Sequence, residues 1–429
     1  MFPVSMLSTL LLALAVSANP IVIRDSPVTL PLARRLNVTS IHNLVRHDVA
    51  RAKALRARGE VKVSGDFHVD AIINEQVDNQ AVTYIASVGV GSPPTSYSLL
   101  IDTGSSNTWV GATKAYAKTS TSVQTSDRVS VTYGSGSFSG TEFIDTVTIT
   151  PSLVITDQSI GVATRSQGFQ GTDGILGIGP VDLTLGTLSP SSNTLIPTVT
   201  DNAFSQGLIS ANEIGISFEP TNSLEVMNGE LTWGGTDSTK FTGSISFAPL
   251  TKTSPASFFW GIDQSIRYGA STTILSTNAG IVDTGKLAGP FRINTSKLLF
   301  ETGTTLLLLA SDAFARYLSA TGAVQDQATG LLRITSAQFA NLQSLFFTIN
   351  GVTFEFTANA QLWPRALNTA IGGTTNNIYL IVGNLGTPSG EGFDFINGYA
   401  FLERFYSVFD TTNHRVGFAN TPFTTATTN

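Results

Sequence analysis

From Val82 onward the chain alternates short β-branched runs with Gly, Ser, Asn and Pro. Residues 130–133, 146–150, 243–247 and 352–356 are typical runs. Side chains of a strand face opposite sheet surfaces in turn, so such runs bounded by regular turn signals predict sheets or barrels. Helical spacing is sparse. It is clearest at 311–318 and 336–345, where Ser311 and Ser336 are the expected N-caps. Residues 40–58 also carry helical spacing and good helix formers.

The first residues follow another pattern. Residues 7–18 are apolar and end in Val16-Ser17-Ala18. A membrane-spanning helix needs roughly 20 apolar residues, so this run reads as a signal peptide, residues 1–18, without the usual positive n-region. No later run is long and apolar enough to span a membrane. The expected product is soluble, secreted and extracellular, with no membrane anchor.

Charge then divides the chain. Between residues 19 and 70 lie nine cations (Arg24, Arg34, Arg35, Arg46, Arg51, Lys53, Arg56, Arg58, Lys62) and five acids. The remainder, with 15 basic and 25 acidic residues, has a net charge of -10. A basic arm ahead of an acidic body suggests a pro-segment, residues 19–72, that docks by charge and acts as an intramolecular inhibitor. Acid would neutralise the carboxylates and loosen it. The plainer reading is a solvated basic helix.

Composition narrows the chemistry. The 429 residues, 41% of them hydrophobic, suffice for two or more domains. Charged residues make up 13%, against a usual share of roughly 25%. Low charge excludes a mainly disordered chain, and the net -6 argues against nucleic acid as partner. With no cysteine and four histidines, disulfides and thiolate or multi-histidine metal sites are not expected.

One motif occurs twice. Leu99-Leu100-Ile101-Asp102-Thr103-Gly104-Ser105 sets a carboxylate between an apolar strand and a tight turn, and Gly280-Ile281-Val282-Asp283-Thr284-Gly285 repeats it 181 residues later. A duplicated β lobe would bring one Asp from each copy to a shared cleft. The Gly residues allow close approach, and the Thr residues can lock their loops by hydrogen bonding. Two carboxylates at short range cannot both ionise easily, so the pair can serve as acid and base together. Such a pair activates water against a peptide carbonyl without metal or cofactor.

Here the chain resembles the pepsin-like aspartic proteases, from about residue 80 to the end. Asp102 to Asn107 with Trp109 is similar to their first catalytic loop, and Tyr133-Gly134-Ser135-Gly136-Ser137 to their flap. Residues 173–179, 229–235, 395–398 and 405–410 are similar to further family segments. The resemblance implies an all-β bilobal fold, with an N-terminal lobe over 73–248 and a C-terminal lobe over 249–429. It implies Asp102 and Asp283 as the catalytic pair and Ser105 as a hydrogen-bond partner of the first Asp. Tyr133 would cap the substrate with its hydroxyl steadied by Trp109. Gly134, Ser135, Gly104 and Gly285 would contact the peptide. Polypeptide substrates, pepstatin-type inhibitors and a monomeric state are the family expectation.

One stretch departs from that pattern. Between Gly285 and Thr304 stand 18 residues, 286–303, whose removal restores Ile-Val-Asp-Thr-Gly-Thr-Thr-Leu-Leu. They correspond to 54 nucleotides, and the flanking residues can be encoded with splice-site sequences. Either a short intron has been translated or the segment is a true loop insertion. Thr304 is the residue expected beside the second Asp. As written Lys286 follows Gly285, and its cation could pair with the carboxylates and stop proton sharing. Glu301-Thr302-Gly303-Thr304 also imitates the motif, which makes Glu301 a rival of Asp283. The alternative function is therefore an impaired, peptide-binding scaffold. Sequons at Asn37 and Asn294 fall in the pro-segment and in the inserted stretch.

Overall fold

The computed structural model describes residues 26–36, 44–64, 82–133, 136–284 and 304–429. The expected signal peptide, both sequons, Gly134, Ser135, Gly285, Lys286 and Glu301 lie outside them. Strands dominate, in a bilobal pepsin fold. A 14-stranded sheet runs through the N-terminal lobe and the floor of the molecule, and a seven-stranded sheet builds the C-terminal lobe.

The two lobes repeat one local arrangement. Thr95–Asp102 pairs parallel with Gly174–Gly177, which pairs antiparallel with Trp109–Val110. In the second lobe Thr272–Val282 pairs parallel with Phe395–Asn397, which pairs antiparallel with Leu307–Leu309. Each Asp thus stands at the end of a strand whose parallel neighbour pairs in turn with an antiparallel strand. These strand ends are buried on both faces, which is why Leu99 to Ile101 and Ile281 to Val282 read as continuous apolar runs. Outer strands alternate instead, as in Leu345–Ile349, where every second side chain is buried.

The strand expectations hold, and Val352–Phe356 is a strand throughout. The helix limits need correction. The helix Ser311–Thr321 begins at Ser311, so Ala310 is the N-cap and makes no side-chain cap. The Ser311 hydroxyl is taken by Asn384 Oδ1 at 2.9 Å. The helix Ser336–Phe339 is one turn long, and its cap is Thr335, in a reciprocal capping box with Gln338. Leu345 belongs to the following strand.

The basic N-terminal segment contributes a strand, Val28–Leu36, that sits between Glu225–Trp233 and Val82–Val90 in the large sheet. Within it Arg34 is buried and donates to Glu403 at 2.9 Å. A helix follows, Leu44–Ser64. Asp48, Arg51, Ala52 and Leu55 are all buried, a spacing that forms one stripe along a helix. The helix is packed into the body, so the solvated-helix reading is not met. Among the described residues no helix is long and apolar enough to cross a membrane, and no cluster of His, Cys, Asp or Glu could hold a metal ion.

Candidate active site

The two Asp-Thr-Gly turns meet face to face. Thr103 N donates to Thr284 Oγ1 at 3.1 Å, and Thr284 N donates to Thr103 Oγ1 at 2.8 Å. Each threonine therefore locks the opposite loop. Ser105 Oγ donates to Asp102 Oδ2 at 2.5 Å, and Gly104 N donates to Oδ1 at 2.8 Å. In the second loop Thr304 Oγ1 donates to Asp283 Oδ2 at 2.9 Å. Ser105 and Thr304 are thus equivalent, although Ser105 follows its Asp by three residues and Thr304 by 21. Asp283 occupies the second position and keeps Thr304 as its partner. Its displacement by a rival carboxylate is not observed.

Both carboxylates are fully buried, and one guanidinium joins them. Arg51 donates through Nε and Nη2 to the two oxygens of Asp283, and through Nη2 to Asp102 Oδ1 at 3.2 Å. Burial raises the Asp102 carboxyl above its ordinary value, opposed by Arg51 and assisted by Asp283. Burial alone would disfavour the Arg51 cation, but Asp283 and Asp102 outweigh it and hold the guanidinium above its ordinary range. Gly104 must lack a side chain here, since a Cβ would lie 2.7 Å from both Asp283 Oδ1 and Arg51 Nη2.

The same helix fills the cleft further along. Arg58 lies 6.0 Å from the Tyr133 ring centroid and donates to the Leu183 carbonyl at 3.4 Å. Lys62 donates to the Asp182 carbonyl. At the opposite end Asp48 Oδ2 accepts from Leu306 N at 2.6 Å. Burial pushes the Asp48 carboxyl well up, the Leu306 and Thr305 amides opposing.

Tyr133 is buried, with its ring 6.5 Å from that of Trp109 and 6.3 Å from that of Phe138. Burial pushes the Tyr133 hydroxyl well up, and the Trp109 indole opposes that push, although the pair falls outside strict hydrogen-bond geometry. The Trp109 ring also stacks on that of Phe138 at 4.2 Å. Sequence reasoning missed Arg51 and Asp48 as individuals; only the excess of cations pointed toward their segment.

A family model for eukaryotic aspartyl protease matches residues 83–421. The chain belongs to this family. It is an aspartic endopeptidase, a hydrolase acting on polypeptides. It is 67% identical to polyporopepsin of Irpex lacteus over 351 residues, covering 82% of this chain and 98% of the relative. The crystal structure of aspartic proteinase from Irpex lacteus matches with a TM-score of 0.76 and 58% identity, covering 94% of this chain and all of that one. Gastricsin of Homo sapiens is 28% identical over 360 residues, 78% of this chain and 81% of the relative. The resemblance read from the paired motifs therefore holds along the body of the aspartic protease.

Proposed function

We propose that the chain is the zymogen of a secreted acid endopeptidase whose catalytic pair is Asp102 and Asp283. The observation that carries this reading is a single guanidinium bridging one carboxylate from each loop. One oxygen of each group bonds the same guanidinium nitrogen, which supports a pair that shares a proton, directly or through a water, once the cation leaves. With Arg51 gone, one carboxyl keeps a proton and the other is ionised. The ionised carboxylate takes a proton from water as its oxygen attacks the scissile carbonyl. The protonated carboxyl donates to the carbonyl oxygen, giving a neutral tetrahedral intermediate. The carboxyl that took the proton from water gives it to the nitrogen, the other, now ionised, takes a proton from a hydroxyl of the intermediate, and the C–N bond breaks as the carbonyl re-forms. Ser105 and Thr304 orient the carboxylates, and Gly104 and Gly285 leave room for the peptide. Tyr133, with Gly134 and Ser135 on the flap, covers the substrate.

Residues 19–72 act as the inhibitor. Their strand and helix place Arg34 and Arg51 in buried ion pairs, and Arg58 and Lys62 in the cleft. The segment 1–18 directs the chain to the secretory route, and the active product is a monomer that binds pepstatin-type peptides. The retained contact of Thr304 with Asp283 supports the enzyme over the scaffold alternative.

The test is hydrolysis of unfolded casein at about pH 4, near the ordinary carboxylate range, with and without pepstatin. Asp102→Asn and Asp283→Asn should each lower kcat by about 100-fold or more, the usual scale of a general acid or base. Either variant retaining most of the activity would remove that residue from the pair.

A further inference from the structure

The contact between Thr304 and Asp283 poses a question of connectivity. In the first loop the chain runs directly from Asp102 to Ser105, and covalent geometry keeps the hydroxyl on the carboxylate. In the second loop 19 residues, 285–303, separate Thr284 from Thr304, so the covalent link is too long to fix their spacing.

Asn397 pairs with Val282 and Leu307 on either side of that gap, and Tyr399 reaches Thr284 and Thr304 themselves. Tyr399 opens the short helix Tyr399–Leu402, directly after the strand Phe395–Asn397 that lies between the two strands of the loop. Its hydroxyl donates to the Thr284 carbonyl. Its backbone N–H donates to the Thr304 carbonyl at 3.0 Å, and Ala400 N donates to Thr305 at 3.0 Å. The residue before it is Gly398, where a Cβ would lie 2.4 Å from the Thr304 carbonyl. The ring is fully buried, 5.2 Å from that of Tyr84 and 5.5 Å from that of Phe218, so the hydroxyl is held on a rigid arm.

We infer that Tyr399 is a positioning residue that staples Thr284 to Thr304 and so keeps the Thr304 hydroxyl on Asp283 across the inserted segment. The chain as written then keeps its second catalytic loop without losing residues 286–303. This inference rests on the assignment of Asp283 to the catalytic pair.

The experiment is a cycle of four proteins: the full chain and the chain lacking 286–303, each with Tyr399 or with Tyr399→Phe. After acid activation, kcat and KM on a quenched peptide are measured across pH. In the full chain Tyr399→Phe should lower kcat about tenfold or more, the scale of one hydrogen bond to a charged group, with KM little changed. In the deleted chain Gly285 is bonded directly to Thr304, and the loss should stay within about threefold, the lower end for a neutral hydrogen bond. Equal losses in both backgrounds, or none in either, would overturn the inference. Melting temperatures of the same four proteins give a second reading, with a larger drop expected in the full chain. Failure of the Phe variant to fold in the deleted chain also counts against the staple, since the covalent link should suffice there. Should Asp283→Asn leave hydrolysis intact, the catalytic assignment fails, and the melting comparison still judges the staple.

Discussion

Arg51→Met probes the proposed latency most directly. Methionine keeps most of the aliphatic bulk and removes the cation. Arg51 is fully buried and meets both oxygens of Asp283 and one of Asp102. Removing one partner of a buried ion pair costs about 3–5 kcal/mol, because the remaining charge is left without compensation. Here the remaining charges are the carboxylates, and they recover hydration only if the helix leaves the cleft. The docked state should therefore weaken by about 100-fold to 4,000-fold, at roughly 1.4 kcal/mol per decade. The assay is uptake of a fluorescent pepstatin-type ligand at about pH 6, where ordinary carboxylates are ionised. The control is Lys53→Met, which removes an exposed cation from the same helix. The Arg51 variant should admit the ligand without acid pretreatment, while parent and control should not. A variant as closed as the parent would refute the claim that this ion pair holds the helix.

Three further outcomes are expected. Burial holds the Glu142 carboxyl at about 7, with Ser159 only partly opposing and Oε2 left without a partner. Its folded value is raised, so the stability it adds is present below its ordinary value and is lost as pH climbs through about 7, by up to about 3 kcal/mol. Glu142→Gln should flatten that decline in thermal melts between acid and neutral pH; an unchanged slope counts against it. Asp48, raised by burial while docked, regains its ordinary value on release, so its charged form disfavours docking near neutral pH and proton uptake favours docking in acid. Asp48→Asn should slow activation on mild acidification, seen as a longer lag in peptide hydrolysis, and a shorter lag would reverse the sign. Gly104→Ala would press a methyl against Asp283 and Arg51; overpacking of about 1–3 kcal/mol and a loss of kcat beyond tenfold are expected, and near-parental kinetics would show that the loops can part.

The two Asp-Thr-Gly loops were legible because their pattern is local. Asp102 and Asp283 each follow an apolar strand and precede Thr-Gly, and the duplicated pattern implied a shared cleft before any contact was known. The residue that closes the cleft was not legible in the same way. Arg51 is one of nine cations in its segment and lies 232 residues from Asp283. Charge balance gives the direction of docking but selects no atom. The strand Val28–Leu36 was hidden by Pro31 and by Arg34 and Arg35 in an alternating run, and Arg34 is tolerated inside because Glu403 and the Ser223 carbonyl receive it. The Thr335 cap could have been found from Gln338 three residues on, the capping-box spacing. The helix expected to run to Leu345 stopped early because the sheet took Leu345–Ile349. Tyr399 carries no motif; its role comes from what the fold sets beside the break in the second loop.

The central claim is that one chain holds a peptidase and the cation that blocks it. The most direct test is a single progress curve: purified full-length chain, held near neutral pH, is brought to about pH 4 with a quenched peptide present. The account predicts no hydrolysis before the change, a lag after it, and then a steady pepstatin-sensitive rate. Full activity already near neutral pH, or a chain that stays silent in acid although folded, would contradict it.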